Sequence, residues 1–145
     1  MVKVIMKEAV PGDDDRVTFQ VREITERIAR AIEILESCDH LTVCVGDGNA
    51  RIPYSDISYI EAVDTQTLVY VKRDVYQSKL KLDALENELD NKDFLRINKQ
   101  VIVNLRKVQS IMPAGNGRFQ ATLLSGDKLI IARQFVPGLR ERFGV

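Results

Sequence analysis

Asp93-Phe94-Leu95-Arg96-Ile97-Asn98-Lys99-Gln100-Val101-Ile102-Val103-Asn104-Leu105-Arg106-Lys107-Val108 is the stretch on which the reading of this chain turns. Its run Val101-Ile102-Val103 is β-branched throughout, which makes a rigid, mostly buried strand. Arg96, Asn98, Lys99 and Gln100 stand directly before that strand. A polar group abutting a buried strand is held at a fixed sheet edge. Such an edge is how a β protein presents side chains to a large polar partner such as a nucleic acid.

Charge is distributed in the same sense. The chain carries 21 basic and 21 acidic residues, so its total charge argues against a polyanion partner. The charges are segregated, however. Residues 1–45 are net −3, residues 46–94 net −4, and residues 95–145 net +7, with nine basic side chains against Asp127 and Glu141. Local charge, not the chain total, sets the field that a polyanion meets. A solvated basic face would show the same segregation, so charge alone does not decide between the two.

A chain of 145 residues predicts one domain, or one domain with a short addition. Its hydrophobic content of 45% is ordinary for a globular core. No apolar run approaches the roughly 20 residues that span a bilayer. The start, Met1-Val2-Lys3-Val4-Ile5-Met6-Lys7-Glu8, alternates charge with apolar residues and lacks the apolar core of a signal peptide. Cys38 and Cys44 match no metal spacing and read as reduced thiols, Cys44 as a buried small hydrophobe. These features predict a cytoplasmic protein without a cofactor.

Along the chain, residues 2–9 and 16–21 read as two strands joined by the turn Pro11-Gly12-Asp13-Asp14-Asp15. Thr25 is a candidate N-cap for a helix over 26–37, with Ile28, Ile32 and Leu35 as its apolar stripe. Strands are expected at 41–45 and 49–53 around Gly46-Asp47-Gly48, and at 57–63 and 68–72 around Asp64 to Thr67. Leu82, Leu85 and Leu89 mark a short helix over 82–89. Further strands are expected at 101–105, 108–112, 118–124 and 128–132, then a helical turn over 136–142. The enzyme reading is poor, with one His, no phosphate-cradling glycine loop and no nucleophile motif.

Four blocks resemble the LytTR DNA-binding domain, in order and at family spacing. Tyr59-Ile60-Glu61-Ala62 is similar to the family's "YIEA" strand. Ser78-Lys79-Leu80 leading into Leu82-Asp83-Ala84-Leu85-Glu86 is similar to its "SL…LEE" helix. Phe94 to Asn104 resembles its "FFRIHRSYLVN" core, the most specific of the four, and Leu129 to Val136 its "LPVSRRYL" end. The resemblance covers residues 41–145. It implies a mainly β fold, an elongated antiparallel β-sandwich, here preceded by a strand-strand-helix extension over 1–40. The front is too short for the receiver domain of typical members, so the chain resembles a stand-alone regulator.

The resemblance implies sequence-specific binding of double-stranded DNA, with loops of one edge entering the major groove. Its contact positions fall on the loop containing Gln66 and Thr67, on Asn98, Lys99 and Gln100, and on Arg133. The family usually has His where this chain has Asn98. Side-chain chemistry agrees: Asn and Gln pair bidentately with adenine, and Lys and Arg with guanine. Arg96, Arg106, Lys107 and Arg118 suit phosphates, which set register without reading sequence. Arg96 could alternatively form an ion pair, with Glu61 as the candidate partner, and Asn104 could bond to backbone at a strand end. The stripe of helix 26–37 is expected to be covered either by the sheet of its own chain or, the preferred reading, by the same element of a second copy in a homodimer, and the resemblance extends to a small membrane regulatory protein as a partner. The alternative is a signalling module that binds no DNA and uses its edge strands and apolar helix.

Overall fold

The computed structural model describes residues 2–12, 16–37, 40–89 and 93–144. The chain divides into two compact units between Ile34 and Leu35. In the first, residues 2–12 and 16–23 pair into no strand, contrary to the two strands expected there. Alternation makes a strand only where a neighbour satisfies the backbone, and a lone two-stranded hairpin is marginal in water. Asp13 to Asp15 lie outside the described residues. The helix is present as α1 (Glu26–Ser37). The Thr25 hydroxyl accepts the Ile28 amide at 3.3 Å, as an N-cap does.

The second unit is mainly antiparallel β, as expected. Its strands are β1 (His40–Val45), β2 (Gly48–Pro53), β3 (Tyr59–Val63), β4 (Gln66–Val71), β5 (Asp74–Ser78), β6 (Phe94–Asn98), β7 (Val101–Asn104), β8 (Val108–Gly115), β9 (Arg118–Leu123) and β10 (Lys128–Ile131). Helix α2 (Leu82–Glu88) follows β5, and α3 (Val136–Phe143) ends the unit. Seven strands form one sheet in the order β2-β1-β5-β4-β3-β7-β6, and three form a second in the order β10-β9-β8. Two strands were not foreseen, β5 and β6. Val75 and Gln77 are exposed, so β5 lacks the apolar density that marks a strand, and it forms because β4 offers it a full register from Thr67↔Ser78 to Val71↔Asp74.

The β7 run explains the sandwich. Every residue of it is buried, because both faces of the large sheet are covered. Successive side chains point to opposite faces. Ile102 joins Ile60, Val69, Leu85, Leu89 and Phe94 in a core closed by α2. Val101 and Val103 join Tyr59, Ile97, Leu123, Ile131 and Leu139 in a second core closed by the small sheet and α3. Cys44 is half-buried rather than buried, and Cys38 lies outside the described residues.

Candidate nucleic-acid interface

The topology brings four turns to one end of the second unit. The β3–β4 turn is Asp64-Thr65, since Val63 pairs with Gln66. The β6–β7 turn is Lys99-Gln100, since Asn98 pairs with Val101. The Ala62 amide donates to the Gln100 carbonyl at 2.8 Å, which sets these two turns side by side. The Ala132 amide donates to the Ile97 carbonyl at 2.8 Å, which pins Arg133 beside the same turn. Ile131 pairs with Phe119, so the β8–β9 turn, Asn116-Gly117, lies at this end too.

Asn98 shapes the β6–β7 turn. Its carboxamide oxygen accepts the Gln100 amide at 2.8 Å, an Asx turn. Its Nδ2 donates to the Ile130 carbonyl at 2.8 Å and so ties the large sheet to the small one. The residue expected to read a base therefore has its amide engaged at both ends.

Arg96 is turned inward beneath the same turn. Its Nε donates to the Asn98 carbonyl at 3.1 Å, and a second guanidinium nitrogen donates to the Lys99 carbonyl. The third bonds Asp83 and Glu86 of α2, each at 2.7 Å. Burial pulls the guanidinium pKa down, but the hydrogen bonds and charges of Asp83 and Glu86 outweigh it, and the net direction is up. The ion pair foreseen for this residue exists, with Asp83 and Glu86 rather than Glu61. The Glu61 carboxylate instead accepts the Tyr70 hydroxyl at 3.3 Å, and Tyr70 stacks on Tyr59 with centroids 4.2 Å apart.

The remaining expected residues separate into two groups. Gln66, Lys99, Gln100 and Arg133 are exposed at the shared end. Thr67 is buried inside β4, paired with Ser78, and drops out of the presented surface. Arg106 and Lys107 follow β7, whereas Lys99 and Gln100 precede it. The four residues of β7, at about 3.3 Å each, put roughly 13 Å between the two positions. Arg106 there pairs with Asp93 at 2.6 Å. Asn104 is buried, donating to the Ile57 carbonyl at 2.8 Å and accepting the Arg106 amide at 3.0 Å, the backbone role foreseen as its alternative.

Two further basic residues stand at the presented end: Lys81, which the sequence did not single out, and Arg118, which it assigned to phosphates. Lys81 lines a recess with Asp64 to Thr67, and Arg118 lines an open recess of about 450 Å³ with Asn116, Arg133 and Gln134. Placing Lys81 there requires the Thr67↔Ser78 register of β5, the strand with no apolar signature. Arg118 carried a basic charge in the sequence, but only the pairing of β9 with β10 shows which end it occupies.

A β-sandwich that offers basic and amide side chains from adjoining turns presents the kind of end that suits a large anionic partner. Residues 47–144 match the model of the LytTr DNA-binding domain, and the chain belongs to that family. It is similar to the sensory transduction protein LytT of Enterococcus faecalis, 21% identical over 93% of this chain and 58% of that protein. It is also similar to the transcriptional regulatory protein YpdB of Escherichia coli O6:H1, 31% identical over 90% of this chain and 57% of that protein. The chain thus spans less than two thirds of the length of these curated relatives. Among solved structures, the LytTr DNA-binding domain of a protein described as a methyl-accepting/DNA response regulator from Bacillus cereus superposes with a TM-score of 0.69. That match covers 74% of this chain and 98% of that one at 24% identity, and it establishes the fold. No described helix is long and apolar enough to cross a membrane.

Proposed function

We propose that this chain regulates transcription by binding double-stranded DNA sequence-specifically, reading the major groove from the end that carries Gln66, Lys99, Gln100 and Arg133. The observation that carries this reading is the convergence of four turns from both sheets on one end, two of them locked by hydrogen bonds into adjoining positions. Lys99 and Arg133 supply guanine-reading cations, Gln66 and Gln100 adenine-reading amides, and Arg118 and Lys81 phosphate-holding charge. Arg96 and Asn98 hold the turn that offers Lys99. Arg106 and Lys107 stand at the far end of β7 and have no part in this surface.

The protein acts as a homodimer through its first unit. Of the stripe that motivates it, Ile28 and Ile32 are half-buried and Leu35 is exposed, and Val4, Met6, Val17 and Ile24 add exposed apolar surface that a second copy would cover. The test of the function is binding to a duplex selected from a random pool, titrated with salt. Affinity falls steeply as salt rises, and Lys99→Ala and Arg133→Ala each weaken the selected duplex about 5- to 150-fold and flatten preference at one base position. Salt-insensitive affinity, or selection of no duplex, points instead to an interaction module that does not bind DNA.

A further inference from the structure

We infer that Gly117 is a positioning residue for Arg133, and that the β8–β9 turn sets the direction in which this guanidinium meets DNA. The inference rests on the reading of Arg133 as a base contact. Gly115, Asn116 and Gly117 are successive residues in the left-handed region, with φ of 83°, 54° and 75°. Two of the three are glycine, and the two glycines are not equivalent. A Cβ on Gly115 would meet nothing within 4 Å. A Cβ on Gly117 would lie 2.9 Å from Cδ of Arg133, 3.2 Å from its Cγ and 3.9 Å from its Cβ. The conformation accounts for both glycines. Space accounts for the second alone.

That packing has a consequence for recognition. The backbone at Arg133 is already held by the Ala132 amide on the Ile97 carbonyl. What remains free is the long stem, with several rotatable bonds whose ordering opposes binding. Gly117 lies along that stem and closes one side of the space it sweeps. The open recess shared by Arg133, Arg118, Asn116 and Gln134 lies where the stem emerges. A side chain at position 117 pushes the stem off this course. The displacement itself costs the fold little, because the displaced group is a flexible side chain, while the positive φ adds the same left-handed strain that a side chain at Gly115 meets. It costs recognition more, because a bidentate guanine contact depends on direction.

The two glycines supply a matched control. Gly117→Ala and Gly115→Ala impose the same kind of left-handed strain, and only the first reaches Arg133. Both are compared with Arg133→Ala and with the double variant of Gly117 and Arg133, on the duplex selected by the full wild-type chain. Gly117→Ala is expected to lose about 3- to 30-fold in affinity, a part of what Arg133→Ala loses, and to flatten preference at the same base position. Gly115→Ala stays within about 2-fold, and the double variant binds no worse than Arg133→Ala. If Gly117→Ala fails to fold, Gly117→Asn and Gly115→Asn replace the pair, because Asn tolerates a positive φ. Equal effects of the position-117 and position-115 variants, beside a large loss in Arg133→Ala, overturn the positioning role. No loss in Arg133→Ala overturns the reading beneath it instead.

Discussion

Replacing Arg96 separates two roles that the sequence alone leaves open, a phosphate contact and an internal brace. In the structure its side chain is 14% exposed and bridges α2 to the carbonyls of the Lys99 turn. Asp83 and Glu86 are 89% and 48% exposed, so each of those ion pairs contributes about 0–1 kcal/mol after screening. The two carbonyls accept from a charged donor, for which about 1.5–3 kcal/mol each is the usual range, at its low end when water replaces the donor. Arg96→Ala should therefore destabilise the domain by about 3–5 kcal/mol in urea unfolding. Arg96→Lys, which keeps the charge but cannot span both sides, should lose about half of that. Specific DNA affinity should fall in both. Adding Lys99→Ala to Arg96→Ala should cost less than Lys99→Ala costs alone, because the lysine is already mispositioned. Arg96 is no brace if Arg96→Ala leaves stability unchanged while lowering affinity for all duplexes alike and reducing the salt slope by about one ion. That is the signature of a phosphate contact.

Asn98→Ala removes the Asx turn and the link to Ile130, and should lower stability by about 1 kcal/mol while weakening binding without changing base preference. Flattened preference at a single base position would show that Asn98 reads DNA after all. Leu85, on the core-facing side of α2, is fully buried, and Leu85→Ala should cost about 2–5 kcal/mol in denaturant unfolding; a loss below about 1 kcal/mol would contradict the two-core description. Burial and the carboxylates of Asp127 and Glu61 push the Tyr59 hydroxyl well above the ordinary phenol range, and burial and Glu61 raise Tyr70. The folded state then keeps protons that the unfolded chain releases. Stability should be intact below about pH 10 and fall as pH rises through the folded-state values. Absorbance titration in which Tyr59 and Tyr70 ionise near pH 10, with unchanged stability, would contradict this.

The parts of the fold visible in the sequence are those where local chemistry and tertiary demand coincide. Val101-Ile102-Val103 is apolar at every position because both faces are covered, and Gly46-Asp47-Gly48 marks the first hairpin turn by composition. β5 was hidden because its exposed residues follow no alternating pattern and its existence depends on the edge of β4. The two front strands failed in the opposite way. Val17, Phe19 and Val21 alternate well, but no partner strand pairs with them among the described residues. At the site, the family resemblance named Lys99, Gln100 and Arg133, yet neither it nor side-chain chemistry could show which cations face inward. Arg96 and Arg106 look alike in sequence. One is half-buried beneath a turn and the other stands at the far end of β7, and only strand order and register separate them.

The most direct test of the central claim is amide hydrogen exchange of the whole chain with and without its selected duplex. DNA should slow exchange at 64–66, 98–100, 116–118 and 132–134, the four turns that share one end. Exchange at 72–73 and 105–107, on the opposite end, should be unchanged. Protection concentrated at 72–73 and 105–107, with the four turns unaffected, would contradict the account and place the DNA on the other end of the sandwich.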